Sequence, residues 1–277
     1  MIAREEIYQK ASEGGVDPNI IEKDYHLGIA LKMISKNPKI KNWIFRGGTA
    51  LKKCYFNDYR FSEDLDFTLT DRAIKNEKEI KEILEKICEQ ANQEFGTALN
   101  FFKIVKEREK YGEEAFKAML HFQSVKGISK IKIDLSFADK IFIKPIKRNI
   151  FHLYSDDFIF GKPNINTVKL EEIIVDKLMA ISFIRTYPRN RDLFDIWHIL
   201  KNKKLDLKLV KEIFNKKCDY REIDKKLIFQ INQKHLSQFK QYWQAQLASL
   251  VKDLPDFEMI TKAIVADIKR IFNDRDK

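Results

Sequence analysis

Cysteine, glycine, proline and histidine are all scarce in this sequence. Its 277 residues include 3 cysteines, 9 glycines, 6 prolines and 5 histidines. Cys54, Cys88 and Cys218 are odd in number, far apart and without a Cys-x-x-Cys pair, which argues against a disulfide framework and against a structural zinc site. The histidines are scattered without ligand spacing. A reducing compartment is the simplest interpretation.

Long apolar runs are missing as well. No stretch reaches the roughly eighteen apolar residues that a membrane span needs, and the segment 1–6 lacks the apolar centre of a signal peptide. Internal repeats and low-complexity tracts are also absent from the sequence. The sequence therefore predicts a soluble, cytoplasmic protein without a membrane partner.

Positive charge is abundant and unevenly distributed. The formal net charge is +11, and residues 201–277 hold 18 Lys and Arg against 11 Asp and Glu, a net +7 that leaves +4 for residues 1–200. A basic excess favours a polyanionic partner, with nucleic acid first, although lysine-rich coding also produces an ordinary basic surface. The length is sufficient for two domains.

A glycine turn lies between a short apolar run and a predicted helix. Trp43 to Phe45 form the apolar run, and Gly47 and Gly48 allow the backbone to turn sharply and approach a ligand. Thr49 is predicted to cap the helix, whose N-terminal N–H groups suit phosphate oxygens. Two glycines alone also fit an ordinary connection between a strand and a helix.

A pair of aspartates follows within twenty residues. Asp64 and Asp66 are two apart in a predicted strand, so both carboxylates lie on one face. Their repulsion is relieved by a divalent cation, and Mg²⁺ with oxygen ligands is typical of sites that combine carboxylates and phosphates. A lone Asp-x-Asp is often a solvated strand edge, but the glycine turn upstream favours a site for a metal and a triphosphate.

The order of these motifs resembles that of the AbiEii nucleotidyltransferases, toxins of type IV toxin-antitoxin systems. The family signature is Gly-Gly-Thr or Gly-Ser, a spacer, and Ser-Glu-Asp-x-Asp, which matches Gly47-Gly48-Thr49 and Ser62-Glu63-Asp64-Leu65-Asp66. A similar Glu-Lys-Asp-Tyr segment occurs at 22–25. There, Lys23 and Asp24 are expected either to pair with groups near the site or to belong to a solvated face. The resemblance covers roughly residues 16–200.

The patterning predicts an α/β (α+β) fold. Helices are expected at 3–12, from 17 onward and at 75–95, and strand-like segments at 100–106, 116–123, 129–136 and 140–144 favour a mixed or antiparallel sheet. The resemblance implies a polymerase-β-like core at 1–165 and a helical domain at 166–277 that closes over the nucleotide. Helices are predicted in the last quarter at 207–216, 220–231, 234–251 and 255–273, with Phe239, Tyr242, Trp243 and Leu247 in the core.

A third acid is expected on a neighbouring strand. Asp134 shares a strand face with Lys130, Lys132 and Ser136. A carboxylate there can ligate a second metal ion and accept a proton from an attacking hydroxyl, although a surface aspartate beside lysines would have the same pattern. The rival, Asp139, fits a turn better.

Two helical motifs complete the candidate site. Lys177 falls on the apolar stripe of a helix predicted at 169–185, where it either snorkels or meets an anion. The resemblance implies that it contacts the nucleotide phosphates. Asp192 and Asp195 belong to a segment that matches the family's Arg-Asp-x-x-Asp. Asp195 is expected to orient Lys177 or Arg191, or to position the acceptor. Asp192 also fits the first turn of a helix, where the helix dipole favours an acid. Three arginines could bind phosphates: Arg185, Arg189 and Arg191.

By this resemblance the protein is expected to transfer a nucleotide from an NTP to RNA, most simply tRNA, using two Mg²⁺ ions, and to be neutralised by a separately encoded antitoxin. The alternatives are a small-molecule (antibiotic) nucleotidyltransferase and a pseudoenzyme that binds nucleotide or nucleic acid. The catalytic residues are predicted to be Asp64, Asp66, Asp134, Lys177 and Asp195, the first three also binding metal. The nucleotide-binding residues are predicted to be Gly47, Gly48, Thr49, Lys52, Ser62, Lys177 and Asp192.

Overall fold

The computed structural model describes residues 1–70, 76–108, 114–137, 140–182 and 188–273. Its contacts divide the chain into two units, the first made of residues 1–141 and 145–168, the second of 142–144 and 169–277. Within the described residues, no helix combines the length and apolar character needed to cross a membrane. Asp139, the rival third acid, lies outside the described residues.

The first unit is built on a seven-stranded mixed sheet. Its strands are β1 (Trp43–Arg46), β2 (Asp64–Leu69), β3 (Asn100–Arg108), β4 (Glu114–Ser124), β5 (Gly127–Ser136), β6 (Ile146–Asn149) and β7 (Asn164–Thr167). They lie in the order β3-β4-β5-β2-β1-β7-β6, with β2 parallel to β5 and β1 parallel to β7. The predicted α/β class with a mixed sheet is confirmed.

Helices pack on one face of β2 to β5, which is the apolar face. The helices of this unit are α1 (Arg4–Gly14), α2 (Pro18–Lys36), a 3₁₀ helix (Pro38–Ile40), α3 (Gly47–Ala50), which continues as a wider turn over Leu51–Tyr55, α4 (Glu77–Phe95) and α5 (Asp157–Phe160). The apolar stripe of α4 lies against β3, and α2 contacts β2, β4 and β5. Alternate residues of β5, Ile131, Ile133 and Leu135, are fully buried beneath these helices, as a period of two requires.

The second unit is helical. It contains α6 (Leu170–Ser182), α7 (Asn190–Asn202), α8 (Leu207–Tyr220), a 3₁₀ helix (Lys225–Gln230), α9 (Gln233–Ser237), α10 (Lys240–Leu247) and α11 (Phe257–Phe272). Phe239, Trp243 and Leu247 are buried as predicted, while Tyr242 is half-buried. The single helix predicted at 220–231 is wrong, because Glu222 has a φ of 53° and only Lys225–Gln230 form a 3₁₀ helix. The single helix predicted at 234–251 is divided into α9 and α10, and between them the N–H of Phe239 donates to the carbonyl of Leu236.

The strand predicted at 140–144 is wrong for a different reason. The N–H groups of Phe142 and Ile143 donate to the carboxylate of Glu172, at 2.9 and 3.2 Å, instead of to a neighbouring strand. Glu172 is itself buried and lies 3.1 Å from the ammonium of Lys217, which also contacts Asp176 at 2.5 Å. A buried ion pair therefore attaches this short segment to α6 and α8.

A buried histidine makes the stability of the first unit depend on pH. His26 is 2% exposed and stacks on Phe122 with ring centroids 4.0 Å apart. Its Nδ1 lies 2.8 Å from the carbonyl of Glu22, whereas Nε2 has no hydrogen-bond partner among the described residues. Burial lowers the pKa of His26 to about 4, because an imidazolium would place an unmatched N–H and a charge in the core.

Acidification from pH 7.5 to pH 5 is expected to remove about 2 kcal/mol of unfolding free energy through His26. The unfolded chain takes up a proton near pH 6.5 and the folded chain only near pH 4, so this stability is present above pH 6.5 and is lost as the pH falls. Urea unfolding at both pH values should show a pH dependence smaller by that amount in His26→Phe, which keeps the stacked ring. An equal pH dependence in the two proteins would contradict this assignment.

Candidate active site

The glycine turn connects β1 directly to α3. Gly47 has a φ of +77° and is the first residue of the helix, with Arg46 at the N-cap position. The prediction that Thr49 caps this helix is wrong, because Thr49 lies within the first turn. Its buried hydroxyl donates to the backbone carbonyl of Asp64 instead, and so attaches the start of the helix to the start of β2.

Asp66 lies against this turn. A Cβ atom added to Gly47 would overlap the carboxylate of Asp66, so the position requires glycine both for its backbone angle and for space. In the antiparallel register of β1 and β2, Asp66 is the partner of Arg46. The arginine donates to Thr68 Oγ1 at 3.2 Å on the same face.

The third predicted acid is in register with the second. Asp134 on β5 pairs with Asp66 on β2, and Lys132 pairs with Asp64, so the three aspartates lie on one face of two adjacent parallel strands. Burial raises the pKa of Asp134 above its usual range, and the charges of Lys117 and Asp64 act on that pKa in opposite directions. The carboxylates of Asp64 and Asp134 are therefore close enough to repel each other.

These three carboxylates fit a hard divalent cation. They are oxygen donors only, and the repulsion between Asp64 and Asp134 is an electrostatic condition that a cation relieves. Within the part of the chain that is described, no three His, Cys, Asp or Glu side chains are grouped closely enough to hold a metal ion by themselves. Mg²⁺ is usually bound by one or two carboxylates together with substrate phosphates, so the substrate would supply the remaining oxygen ligands.

A second group of polar residues surrounds Gly48. A Cβ atom there would lie 2.8 Å from Arg60 Nη2 and 3.0 Å from Ser62 Oγ, so both side chains closely approach the turn. Arg60 is 5% exposed and donates to the carbonyl of Phe61 at 3.1 Å. A guanidinium and a hydroxyl beside the start of a helix form a suitable environment for phosphate oxygens.

Lys52 is placed differently from the other predicted nucleotide-binding residues. Its ammonium donates to the backbone carbonyls of Asn57 and Tyr59, at 3.3 and 3.1 Å, and lies 4.7 Å from the centre of the Phe61 ring. Burial lowers the pKa of Lys52 and the charge of Asp24 opposes this. Lys52 therefore supports the loop that carries Arg60 and Ser62.

The segment 22–25 is connected to the same region. Lys23 pairs with Glu63 at 3.1 Å, next to Asp64. Asp24 is buried and accepts from Lys53 at 2.6 Å and from the hydroxyl of Tyr154 at 2.8 Å. Since the ammonium of Lys53 lies beside the carboxylate of Asp24, it holds the pKa of Asp24 below its usual value despite burial. Sequence inspection left a solvated face as an alternative, and for Asp24 that alternative is excluded.

The predicted helical residues form a compact cluster in the second unit. Lys177, on α6, is 6% exposed and donates to Asp192 Oδ1 at 2.9 Å and to Asp195 Oδ2 at 2.5 Å, both on α7. Asp195 is fully buried, and Asp192 also accepts from Arg189 at 3.2 Å. Lys177 therefore meets anions and does not snorkel, and the expectation that Asp195 orients Lys177 agrees with this contact. Arg185 lies outside the described residues.

Comparison with known families decides the assignment. The family model described as nucleotidyl transferase AbiEii toxin, type IV TA system, matches residues 29–270. The chain belongs to the AbiEii family. This AbiEii protein is therefore a nucleotidyltransferase of the type IV toxin-antitoxin class. No curated protein sequence matches it.

Solved structures resemble this AbiEii chain over most or all of its length. MenT4, a nucleotidyltransferase toxin from Mycobacterium tuberculosis H37Rv, has a TM-score of 0.70 at 19% identity, covering 100% of this chain and 91% of that one. JHP933 from Helicobacter pylori has a TM-score of 0.56 at 18% identity, covering 92% of this chain and 93% of that one. At these identities the likeness shows the fold, and it agrees with the predicted nucleotidyltransferase core.

Two arginines of this AbiEii site were missed by sequence inspection. Arg46 ends β1 opposite Asp66, and Arg60 lies against Gly48. Their positions in the sequence could have identified them as site residues, since Arg46 directly precedes the glycine turn and Arg60 lies two residues before Ser62. In a sequence with 52 Lys and Arg, that signal is weak.

Proposed function

We propose that this protein transfers a nucleotide from an NTP to a hydroxyl group of RNA in a magnesium-dependent reaction. The observation that carries this proposal is the register that pairs Asp66 with Asp134, beside Asp64 and the turn at Gly47. Three carboxylates on one sheet face next to a glycine turn are the groups that a site for a metal and a triphosphate needs.

Asp64, Asp66 and Asp134 would hold the magnesium ions. When bound, these ions neutralise phosphate charge and polarise the α-phosphorus for attack. Gly48 and Thr49 present helix N-terminal N–H groups, while Ser62 and Arg60 present donors beside them. These four residues would cradle the β- and γ-phosphates.

Asp134 is the candidate for the group that receives the proton of the acceptor hydroxyl. The hydroxyl oxygen then forms a bond with the α-phosphorus, the bond from that phosphorus to the oxygen bridging to the β-phosphate breaks, and pyrophosphate leaves. Lys177 is proposed to stabilise the negative charge that develops on this leaving group. Asp192 and Asp195 hold its ammonium in place.

RNA is the acceptor that the charge of the chain favours. The net charge of +11 suits a polyanion and does not suit a small cationic antibiotic. We infer tRNA as the simplest RNA target from the family's toxin activity, and a separately encoded antitoxin as the protein partner. A cytoplasmic location agrees with both.

The proposal is tested by incubating the protein with each radiolabelled NTP in turn, Mg²⁺ and total cellular RNA. Label should enter RNA of tRNA size from one or a few NTPs, and should not do so when EDTA is added. RNA affinity should fall steeply as salt rises from 50 to 200 mM, because lysine and arginine contacts to phosphate release counterions. Label that enters only small molecules, or RNA affinity that does not respond to salt, would contradict an RNA acceptor.

A further inference from the structure

One face of strands β3, β4 and β5 is left uncovered and is continuous with the aspartates. The register aligns Lys103, Met119 and Lys132 in one row that continues to Asp64. The next row aligns Val105, Lys117 and Asp134 and continues to Asp66. Because paired residues on neighbouring strands point to the same side, both rows lie on the face opposite the helices. We refer to this surface, made of Phe102, Lys103, Lys117, His121, Lys130 and Lys132, as the open face.

The open face is positively charged. Lys103, Lys130 and Lys132 are exposed, and none of them has a carboxylate within salt-bridge distance among the described residues. Lys117 differs, since it pairs with Glu107 at 2.6 Å. These three lysines, for which the described residues provide no salt bridge, lie on neighbouring strands and are available to a ligand's phosphates.

An aromatic pair, in which Phe102 is exposed and His121 is half-buried, lies at the outer edge of the same face. The register of β3 and β4 shifts between Phe101 and Lys103, and this bulge turns Phe102 outward. The ring of Phe102 stacks on His121 with centroids 4.0 Å apart and an interplanar angle of 17°. Phe102 remains 54% exposed, although the other side of the strand, which carries Phe101 and Ile104, is half-buried and would give a phenylalanine more hydrophobic stabilisation.

We propose that the open face binds a single-stranded segment of the RNA acceptor, with a base stacked on Phe102 and phosphates on Lys103, Lys130 and Lys132. An unpaired strand is favoured over a duplex, because stacking on a side chain requires a base free of its neighbour. The two rows lead from these residues to the carboxylates. This inference rests on the proposed transfer to RNA, and it assigns the surface of the protein on which the RNA binds.

The test compares two triple variants that remove the same charge. Lys103→Ser/Lys130→Ser/Lys132→Ser alters the open face. Lys204→Ser/Lys208→Ser/Lys226→Ser removes three exposed lysines from the basic last quarter. Affinity is measured without NTP for a fluorescent, unstructured RNA 12-mer and for a blunt RNA duplex of equal length.

The open-face variant should bind the 12-mer at least tenfold more weakly. Its slope of log affinity against log salt should be smaller by about 2, which is the value for three phosphates of a single strand. Phe102→Ser should weaken binding about tenfold with an unchanged slope, since it removes stacking and no charge. The last-quarter variant should bind like wild type, and the duplex should respond to none of these changes.

Equal losses in the two triple variants would overturn the proposal, because binding would then depend on diffuse charge. Unchanged RNA affinity in the open-face variant would overturn the proposal as well. The same holds if that variant keeps its RNA affinity but no longer binds an acidic protein, because the open face would then be a protein-binding surface. Failure of the proposed transfer is separately visible. In that case wild type would not label RNA from any NTP, although its binding of the 12-mer would still depend on the open face.

Discussion

Replacing Asp64 or Asp66 with alanine is expected to lower nucleotide transfer by at least two to three orders of magnitude. Each change removes an oxygen donor from the set that Asp134 completes, and the remaining carboxylates cannot supply the same charge. The fold should survive, because both side chains lie on the polar side of β2, whose buried side is formed by Leu65, Phe67 and Leu69. Growth inhibition on expression should disappear together with transfer.

The measurement is incorporation of labelled NTP into RNA at equal concentrations of folded protein. Asp157→Asn is the control, because Asp157 is an exposed acid of the same unit outside the site. It should transfer at the wild-type rate. Full activity in either Asp64→Ala or Asp66→Ala would remove these aspartates from the mechanism.

Lys177→Ala is expected to have two effects. Transfer should fall by about two orders of magnitude or more, because the variant lacks a charge that stabilises the transition state. Stability should also fall, by about 3–5 kcal/mol, because the change leaves Asp195 as a buried carboxylate without its cation. A melting temperature equal to that of wild type is therefore not expected.

Lys217→Ala separates these two effects. Lys217 is 3% exposed and pairs with Glu172 and Asp176 in the same unit, so its removal should destabilise by a similar amount. Transfer per folded molecule, measured well below both melting temperatures, should remain near wild type in Lys217→Ala and fall in Lys177→Ala. Equal transfer in the two variants would restrict Lys177 to a structural role.

Lys177→Arg tests geometry at constant charge. The planar guanidinium keeps the positive charge but is larger and directs its donors differently. The pocket between Asp192 and Asp195 holds a lysine at 2.9 and 2.5 Å, so the arginine should restore part of the stability. It should restore less of the transfer, because the position of the charge also changes.

Features that are local in the chain were predictable from the sequence. The glycine turn follows from Gly47 and Gly48, since a φ of +77° at Gly47 is an angle that glycine tolerates. The shared face of Asp64 and Asp66 follows from the period of two in a strand. The place of Lys177 on an apolar stripe also follows from local spacing, although the stripe left open whether the lysine snorkels or meets an anion. Each of these depends on residues a few positions apart.

Contacts between distant segments were decided only by the tertiary structure. Alternation places Asp134 on a strand face but does not set its partner, because a shift of two residues would keep that face and pair Asp134 with Asp64 or with Thr68. The observed register pairs it with Asp66. Thr49 is likewise held by a carbonyl fifteen residues away, and Asp24 by a lysine twenty-nine residues away. The open face depends on which side of the sheet the helices cover, and the packing of α2 and α4 against the apolar side determines that.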